Sequence, residues 1–411
     1  MTIQTNTNVI SRCEICDNED LVSVLDLGMH PMCDDLVKVD DEKVCSDYPI
    51  EILFCKLCNT AHQKYQVPKH DLFPVSYHYR ARFTADVLEG MKGLVDSCQK
   101  QYGSLENKNV LDIGCNDGSL LNFFRDKGAN TIGIEPTGAS QDAIDNGHSV
   151  IFDYLTEDVA EKVIKDYGKP DFITFTNVFA HIEDLKSVLR ALNKLKHANT
   201  KIIIENHYLG AVLKGNQFDT FYHEHPRTYS FSSFKFMAKS LGLKIECLEF
   251  PSRYGGNIRV FMGNESTLHS SINISELEKI ENNFFNSFDS LNKNIQSWLN
   301  KKGFEIDQII KNYGPMQAKA FPGRAAILVK MLNLDVDKIS KVYEKPGSLK
   351  IGHYLPGTKI PIHSDDELLK SDDLDKPILN LAWHISDEIE NYLRNNNFTG
   401  DIVHILSNDD F

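Results

Sequence analysis

"NVLDIGCNDGSLLNFFRDKGANTIGIEP", residues 109–136, decides the fold. An apolar run, Val110 to Ile113, enters Gly114-Cys-Asn-Asp-Gly118, after which Leu120, Leu121, Phe123 and Phe124 fall at helical spacing. A second apolar run, Thr131 to Ile134, ends on Glu135. The order predicts strand, glycine-rich turn, helix, and a strand closed by an acid. In open α/β sheets a ligand sits outside the carboxyl ends of such strands. The glycines allow a ligand to approach the backbone, and the terminal glutamate can accept hydrogen bonds from two ribose hydroxyls.

Further strands extend the same sheet. "PDFITFTNVFAHIED" (170–184) reads as a strand opening into Asn177 and His181, and "TKIIIENHY" (200–208) as another buried strand. "LGLKIECLEF" (241–250) and "GGNIRVFM" (255–262) have the pattern of a closing antiparallel hairpin. Between these pairs lies "FYHEHP" (221–226), a concentration of proton-handling groups where loops carry chemistry. If this segment is extended, Tyr222 and Glu224 share one face and His223 and His225 the other, an alternation that a turn would break. His223 is read as structural. Beyond residue 265 a long helical stretch leads to a second α/β pattern, with a turn at "AFPGRAA" (320–326) and a loop at "GHYLPGTKIPI" (352–362). The domains read as 1–70, 71–265, a helical connection over 266–299, and 300–411.

Four of the nine cysteines explain themselves by spacing. "CEIC" holds Cys13 and Cys16, and "CKLC" holds Cys55 and Cys58. Two such knuckles about forty residues apart can present four thiolates to one tetrahedral zinc. Cys33 and Cys45, between the knuckles, are alternative ligands. Four thiolates leave no open coordination position, so the zinc is expected to be structural.

A net charge of −14 argues against a nucleic-acid partner, since phosphate backbones call for basic surfaces. No apolar run has the length of a membrane span, and the N-terminus lacks a signal-peptide pattern, so a cytoplasmic protein with no membrane partner is expected.

A dinucleotide site calls for G-x-G-x-x-G, whereas this turn is G-x-x-x-G with Asp112 two residues before it. "LDIGCNDG" followed by "GIEP" resembles motif I of the class I methyltransferases, which bind S-adenosylmethionine (SAM). Nearly the whole chain resembles the sugar C-methyltransferases of deoxysugar biosynthesis. The stretches that carry the likeness are "CEIC…LDLGMHP…YPIEILFCKLC", "VLDIGCNDGSLL", "QFDTFYHEHPRTYSFSSF", "YGGNIRVFM" and "GHYLPGTKIPI". The resemblance implies a zinc-binding N-terminal domain, a SAM-binding Rossmann-like domain, and a C-terminal Rossmann-like domain that helps bind a nucleotide-linked sugar. It implies methylation next to the ketone of a nucleotide-linked keto-deoxysugar, at C3 of an NDP-4-keto-6-deoxysugar. O- or N-methylation on the same scaffold is the alternative, and a zinc-ribbon nucleic-acid methyltransferase or adaptor a third. "SYHYRARF" (76–83), with Arg80, Ala81 and Arg82 in place of small hydroxyl residues, departs from the family pattern, as does "AFPGRAA". Both departures bear on the choice of sugar.

Deprotonating a carbon beside a ketone needs a base and a donor to the developing enolate oxygen. The resemblance makes His225 the base, with Tyr222 and Glu224 in the same site. His181 is the candidate enolate donor, and Tyr77 or Tyr79 closes the pocket. Toward SAM, Gly114 and Gly118 approach the methionyl part, Asp112 orients the loop, Glu135 holds the ribose, and Phe152 and Asp153 flank the adenine. Asn177 is a candidate sugar contact. Arg324, beside Gly323 at a helix start, suits a diphosphate. Tyr354 and Lys359 complete the expected substrate contacts.

Overall fold

The structure is a computed structural model that describes residues 7–73 and 79–411. Near the N-terminus, β1 (Leu21–Pro31), β2 (Asp47–Cys55) and β3 (Thr60–Gln63) form an antiparallel meander. A fourth strand comes from far along the chain. Arg227–Thr228 pairs antiparallel with β3, Arg227 opposite His62 and Thr228 opposite Ala61. The segment that carries "FYHEHP" therefore ends inside the N-terminal sheet.

The central sheet follows helix α1 (Ala85–Tyr102). Strand β4 (Asn109–Ile113) passes through the glycine turn into α2 (Ser119–Arg125), which returns to β5 (Asn130–Ile134). Then come β6 (Ser149–Ile151), β7 (Phe172–Thr176) and β8 (Lys201–His207), all parallel. Every residue of β7 is buried, as a parallel strand covered on both faces requires. After helix α3 (Phe231–Ser240) the sheet is closed by antiparallel β9 (Lys244–Glu249) and β10 (Asn257–Gly263). The spatial order is β9, β10, β8, β7, β4, β5, β6, with a two-residue strand, His269–Ser270, beyond β9. Chain direction across the sheet reverses between β4 and β7, so a crevice opens at their carboxyl ends.

Helix α4 (Phe284–Tyr313) joins the parts. Its buried side chains Phe284, Phe288, Leu291, Ile295, Trp298, Lys302 and Ile306 recur at helical spacing. Asn292 Nδ2 donates to Val24 O in the N-terminal sheet at 2.8 Å, and the Trp298 ring lies 5.1 Å from Phe218. Trp298 Nε1 donates to Ile405 O in the C-terminal part at 2.8 Å. The helix runs unbroken through residues 299 and 300, where the sequence reading set a boundary, because its apolar stripe has partners on both sides.

The C-terminal sheet is entirely parallel. Strand β11 (Met316–Lys319) lies between β12 (Ile339–Glu344) and β14 (Ile378–Asn380), with β13 (Ile362–Ser364) and β15 (Ile402–His404) outside them. Helix α5 (Ala325–Met331) follows β11. Among the described residues no helix is long and apolar enough to cross a membrane.

Beneath the central crevice, Glu205 of β8 is fully buried. It accepts from Arg259 Nε at 2.7 Å, Arg253 Nη1 at 3.2 Å and Asn257 Nδ2 at 3.0 Å, which binds β8 to the antiparallel hairpin. Removing one partner of a buried ion pair costs about 3–5 kcal/mol, because the charge left behind stays desolvated. Glu205→Ala should lower the unfolding free energy by about that amount in guanidinium titration, and a loss under ~1 kcal/mol would contradict this account.

Candidate active site

A cavity of about 1080 Å³ opens at the carboxyl ends of the central strands, and the N-terminal part, through Cys33, Asp34, Lys69 and Phe73, and the C-terminal sheet both add to its wall. Glu135, at the end of β5, lines it while only 5% exposed. Its Oε2 accepts from the Asn116 amide and its Oε1 from the Thr137 amide, both at 2.9 Å. A carboxylate offers about four acceptor positions, so two remain for ribose hydroxyls. These residues fit the ribose of SAM.

The turn is built differently from the sequence expectation. Gly114 lines the cavity at φ +69°, and a Cβ there would stand 2.6 Å from Val178. Gly118, at φ +78°, lies outside the wall, and its Cβ would meet His148 at 2.8 Å. The second glycine thus answers to packing against His148 and Ala143 rather than to a ligand. Asp112 also lies away from the wall. It accepts from Thr174 Oγ1 at 2.7 Å, and burial, against that bond, pushes its carboxyl up to about 7. Asp153 lines the cavity, whereas Phe152 is 56% exposed and does not.

Residues 79–83 fold over this turn. Asn116 Oδ1 accepts from the Ala81 amide and Asp117 Oδ2 from the Arg82 amide, while Arg80 and Arg82 pair with Asp142 at 2.6 and 3.2 Å. The two arginines that depart from the family pattern are therefore fastened beside the cofactor turn. Tyr79 lines the cavity, half in solvent; Tyr77 lies outside the described residues.

"FYHEHP" is a turn, with the His225 amide donating to Tyr222 O at 2.9 Å. The turn breaks the alternation of an extended segment, so Tyr222, Glu224 and His225 all face the cavity. His223 is directed elsewhere, its Nε2 donating to Tyr48 O at 3.1 Å. His225 Nδ1 donates to Thr220 O at 2.9 Å, which leaves Nε2 as the basic nitrogen of the neutral ring. Its ring is 4.2 Å from Tyr222, 4.8 Å from His181 and 5.4 Å from His207. Burial holds His225 well below the ordinary imidazole range, and the neighbouring His181 and His207 lower it further. Burial likewise takes His181 down to about 4. His181 Nδ1 donates to Glu224 O at 2.7 Å, so its neutral ring has no Nε2 proton to give. The enolate-donor role read from the sequence would require the imidazolium that burial disfavours.

Asn177, at φ +55°, lines the cavity, and its Oδ1 accepts from Asn257 Nδ2 at 3.2 Å. Arg324 lines it too, but its guanidinium is engaged. Nη2 and Nε reach the two carboxylate oxygens of Asp219 at 2.6 and 2.8 Å, and Nη2 also donates to Thr220 Oγ1. Trp383 Nε1 completes the cluster on Asp219 at 2.8 Å. Tyr354 and Lys359 pack on one another outside the wall, and Tyr354 pairs with Val37 of a short N-terminal strand. The second parallel sheet contributes Lys319 and Glu344 instead, and the loop after β12 adds Lys345 and Lys350. Sequence reading passed over these, and also over Asn206 and His207, although both end a parallel strand where ligands bind.

The four knuckle cysteines converge. Cys13 Sγ is 3.4 Å from Cys58 Sγ and Cys16 Sγ 3.6 Å from Cys55 Sγ, with all four within 4.8 Å of one another. Tetrahedral zinc at a Zn–S distance of about 2.3 Å sets sulfurs about 3.8 Å apart, so the cluster fits that ion. Cys33 and Cys45 lie outside it: Cys33 lines the cavity, and Cys45 Sγ donates to Asp35 O at 3.2 Å.

The glutamate-closed second strand and the thiolate cluster define a zinc-bearing, SAM-dependent methyltransferase. Comparison with known families agrees. A methyltransferase domain matches residues 84–248, a zinc binding domain 13–73, and a C-methyltransferase C-terminal domain 252–404. The three matches follow one another along the chain and give it the three-part arrangement of a SAM-dependent C-methyltransferase. It is 25% identical to C-methyltransferase NovU of Streptomyces niveus over 393 residues, 92% of this chain and 91% of that protein. A ubiquinone biosynthesis O-methyltransferase of Escherichia coli is 35% identical over 101 residues, 23% of this chain and 41% of that one. Among solved structures, magnesium protoporphyrin IX methyltransferase of Synechocystis PCC 6803 with bound SAH is 17% identical. It covers 44% of this chain and 84% of its own, at a TM-score of 0.35.

Two measurements test the site. Metal analysis of freshly purified protein should find one zinc per chain, and Cys55→Ser should lower the melting temperature; metal-free, equally stable wild-type protein would refute the cluster. Glu135→Ala should weaken SAM binding at least about tenfold in calorimetry, since a charge-assisted hydrogen bond contributes about 1.5–3 kcal/mol. Unchanged affinity would move the ribose elsewhere.

Proposed function

We propose that the protein methylates a carbon adjacent to the ketone of a nucleotide-linked keto-deoxysugar, with C3 of an NDP-4-keto-6-deoxysugar as the reference case. The observation that carries this reading is His225, whose Nδ1 proton is committed to Thr220 O and whose basic Nε2 belongs to a ring in the cavity wall. SAM supplies an electrophilic methyl group on a sulfonium. The protein's task is to make carbon nucleophilic. His225 Nε2 takes the α-proton, the C–H electron pair shifts toward the ketone oxygen, and the carbon is left to attack the methyl group. Tyr222, whose hydroxyl burial holds well above the usual phenol range, stays protonated and can donate to substrate oxygen. Tyr79 and Asn177 border the same space.

The nucleotide part of this reading draws support from the second sheet. The Ala320 amide donates to Tyr343 O at 2.9 Å with Ala320 at φ +60°, and the Phe321 amide donates to Glu344 Oε1 at 2.6 Å. The cofactor turn has the same construction: the Gly114 amide donates to Ile134 O at 2.7 Å with Gly114 at φ +69°, and the Asn116 amide to Glu135. A second acid thus closes a second strand at the edge of one cavity, suited to a second ribose. Lys345 brings a cation to the same rim for a diphosphate. With Arg324 engaged by Asp219, and Tyr354 and Lys359 outside the wall, this rim replaces the contacts read from the sequence.

Mass spectrometry of thymidine- and guanosine-diphosphate 4-keto-6-deoxyhexoses incubated with SAM and protein should show a gain of one CH2 on carbon. His225→Ala should retain SAM binding and lose about 10²–10⁴-fold in turnover, the range for removal of a general base. Because the pKa of His225 is lowered, its basic form persists as pH falls. The acid limb of kcat/KM should therefore lie below the ordinary imidazole value of about 6.5. Full methylation by His225→Ala would end the base assignment.

A further inference from the structure

The carboxyl ends of β7 and β8 place two unused polar side chains in the cavity wall, Thr176 and Asn206. Asn206 is 1% exposed, yet among the described residues neither its Oδ1 nor its Nδ2 has a hydrogen-bond partner. Thr176 Oγ1, buried on the neighbouring strand, has none either, but Thr176 pairs with Glu205 and its side chain leaves the sheet on the opposite face from that of Asn206. The contrast with nearby amides is informative. Asn257 Nδ2 is shared between Asn177 Oδ1 and Glu205, which leaves only its Oδ1 without a partner, whereas Asn206 has neither end paired. Leaving both ends of a buried amide unpaired is costly, and native proteins rarely do so without a partner entering from outside.

Strand arithmetic indicates which part of the cavity Asn206 serves. From Glu135 on β5 the sheet runs through β4 and β7 to β8, three steps of about 4.8 Å, or about 14 Å. Asn206 therefore lies well away from the ribose acid. It lines the cavity at the end of β8, in a wall that also holds His225.

We propose that Asn206 Nδ2 donates the hydrogen bond to the ketone oxygen that becomes the enolate oxygen when His225 removes the α-proton. The Asn206 carbonyl, equally unpaired, accepts from an O–H or N–H on the substrate, so the site favours a ketone flanked by such a group. In the step, the C–H electron pair moves onto the ketone oxygen, the proton goes to His225 Nε2, and Asn206 keeps both of its own protons. A neutral amide can act this way at any pH, which the neutral ring of His181 cannot, because its proton is given to Glu224 O. The proposal rests on the reading of the protein as a methyltransferase of a keto sugar.

The test uses full-length zinc-loaded protein, SAM and the diphosphate keto-hexoses named above. Asn206→Leu removes both polar ends at similar volume. It should keep the melting temperature and the calorimetric SAM affinity while kcat falls about 10²–10³-fold, the usual effect of losing one oxyanion donor. Asn206→Asp supplies the independent readout. Its carboxylate would repel the enolate near neutral pH and its protonated form would donate, so activity should rise as pH falls toward 6. Wild-type kcat and KM in Asn206→Leu, or a pH profile of Asn206→Asp that parallels the wild type, would overturn the proposal. Absence of CH2 gain with wild-type protein on every keto-hexose would instead refute the sugar reading and, with it, this donor.

Discussion

The carboxylate of Asp219 and the guanidinium of Arg324 meet with two hydrogen bonds in a region that excludes water, and the active loop depends on that contact. Asp219 is fully buried, and the Trp383 indole donates to it as well. Pairing two charges away from solvent adds little net stability against an apolar alternative, because desolvation offsets most of the attraction. What it adds here is geometry. Arg324 also donates to Thr220 Oγ1, and the carbonyl of the same Thr220 accepts the Nδ1 proton of His225. The tautomer and orientation of the ring are thus set through Thr220 by a side chain 104 positions further along the chain than that threonine. An arginine expected to hold substrate phosphate instead holds the loop that carries His225, the proposed base.

Electrostatics in the cavity follow from this arrangement. The chain carries a net charge of −14, yet His181 and His207 both stand in ring contact with His225, with Arg324 close by. Burial disfavours the imidazolium in each case, and for His207 and His225 the neighbouring cationic groups add to the effect. Three neutral rings can pack at these distances where three cations could not. A base of lowered pKa is also a weaker base, so abstraction of a carbon-bound proton depends strongly on stabilising the oxygen at the other end of the enolate. That requirement gives the unpaired amide of Asn206 its chemical significance.

The fold was legible wherever short-range pattern carries the information. Residues 109–136 show it best: a buried parallel strand is an apolar run, a positive φ selects glycine, and the strand-ending acid faces the crevice. The thiolate cluster was legible for a similar reason, since C-x-x-C spacing already places two sulfurs of a tetrahedron. The site was legible in part. "FYHEHP" drew attention by composition, but whether it turned or extended depended on the Thr220 carbonyl and on strand pairing with β3. Pairings such as Asp219 with Arg324 leave no periodic trace, so Arg324 looked like a free cation at a helix start. Glu344 was hidden because Ala320 adopts, at φ +60°, a conformation that sequence readers associate with glycine. Phe152, Tyr354 and Lys359 show the opposite error, residues of suitable chemistry placed just outside the wall.

The remaining question is why a methyltransferase carries a structural zinc site whose four cysteines do not line the cavity. The answer lies within the knuckle itself. Glu14 stands between Cys13 and Cys16, and its Oε2 is 2.6 Å from Nη1 of the fully buried Arg227. Burial alone would raise the Glu14 carboxyl, but the charges of Arg227 and His62 outweigh it and hold the group down at about 2. His62 sits in turn 3.4 Å from Cys13 Sγ and opposite Arg227 in the strand pair. Arg227 follows "FYHEHP" directly, and the Gln63 amide donates to Pro226 O at 2.8 Å to close the junction. The loop is consequently held at one end by Arg324 of the C-terminal part and at the other by a carboxylate seated in the zinc knuckle. Neither anchor touches the reacting atoms. Together they fix a short, irregular segment that has too few backbone hydrogen bonds of its own to hold a catalytic geometry.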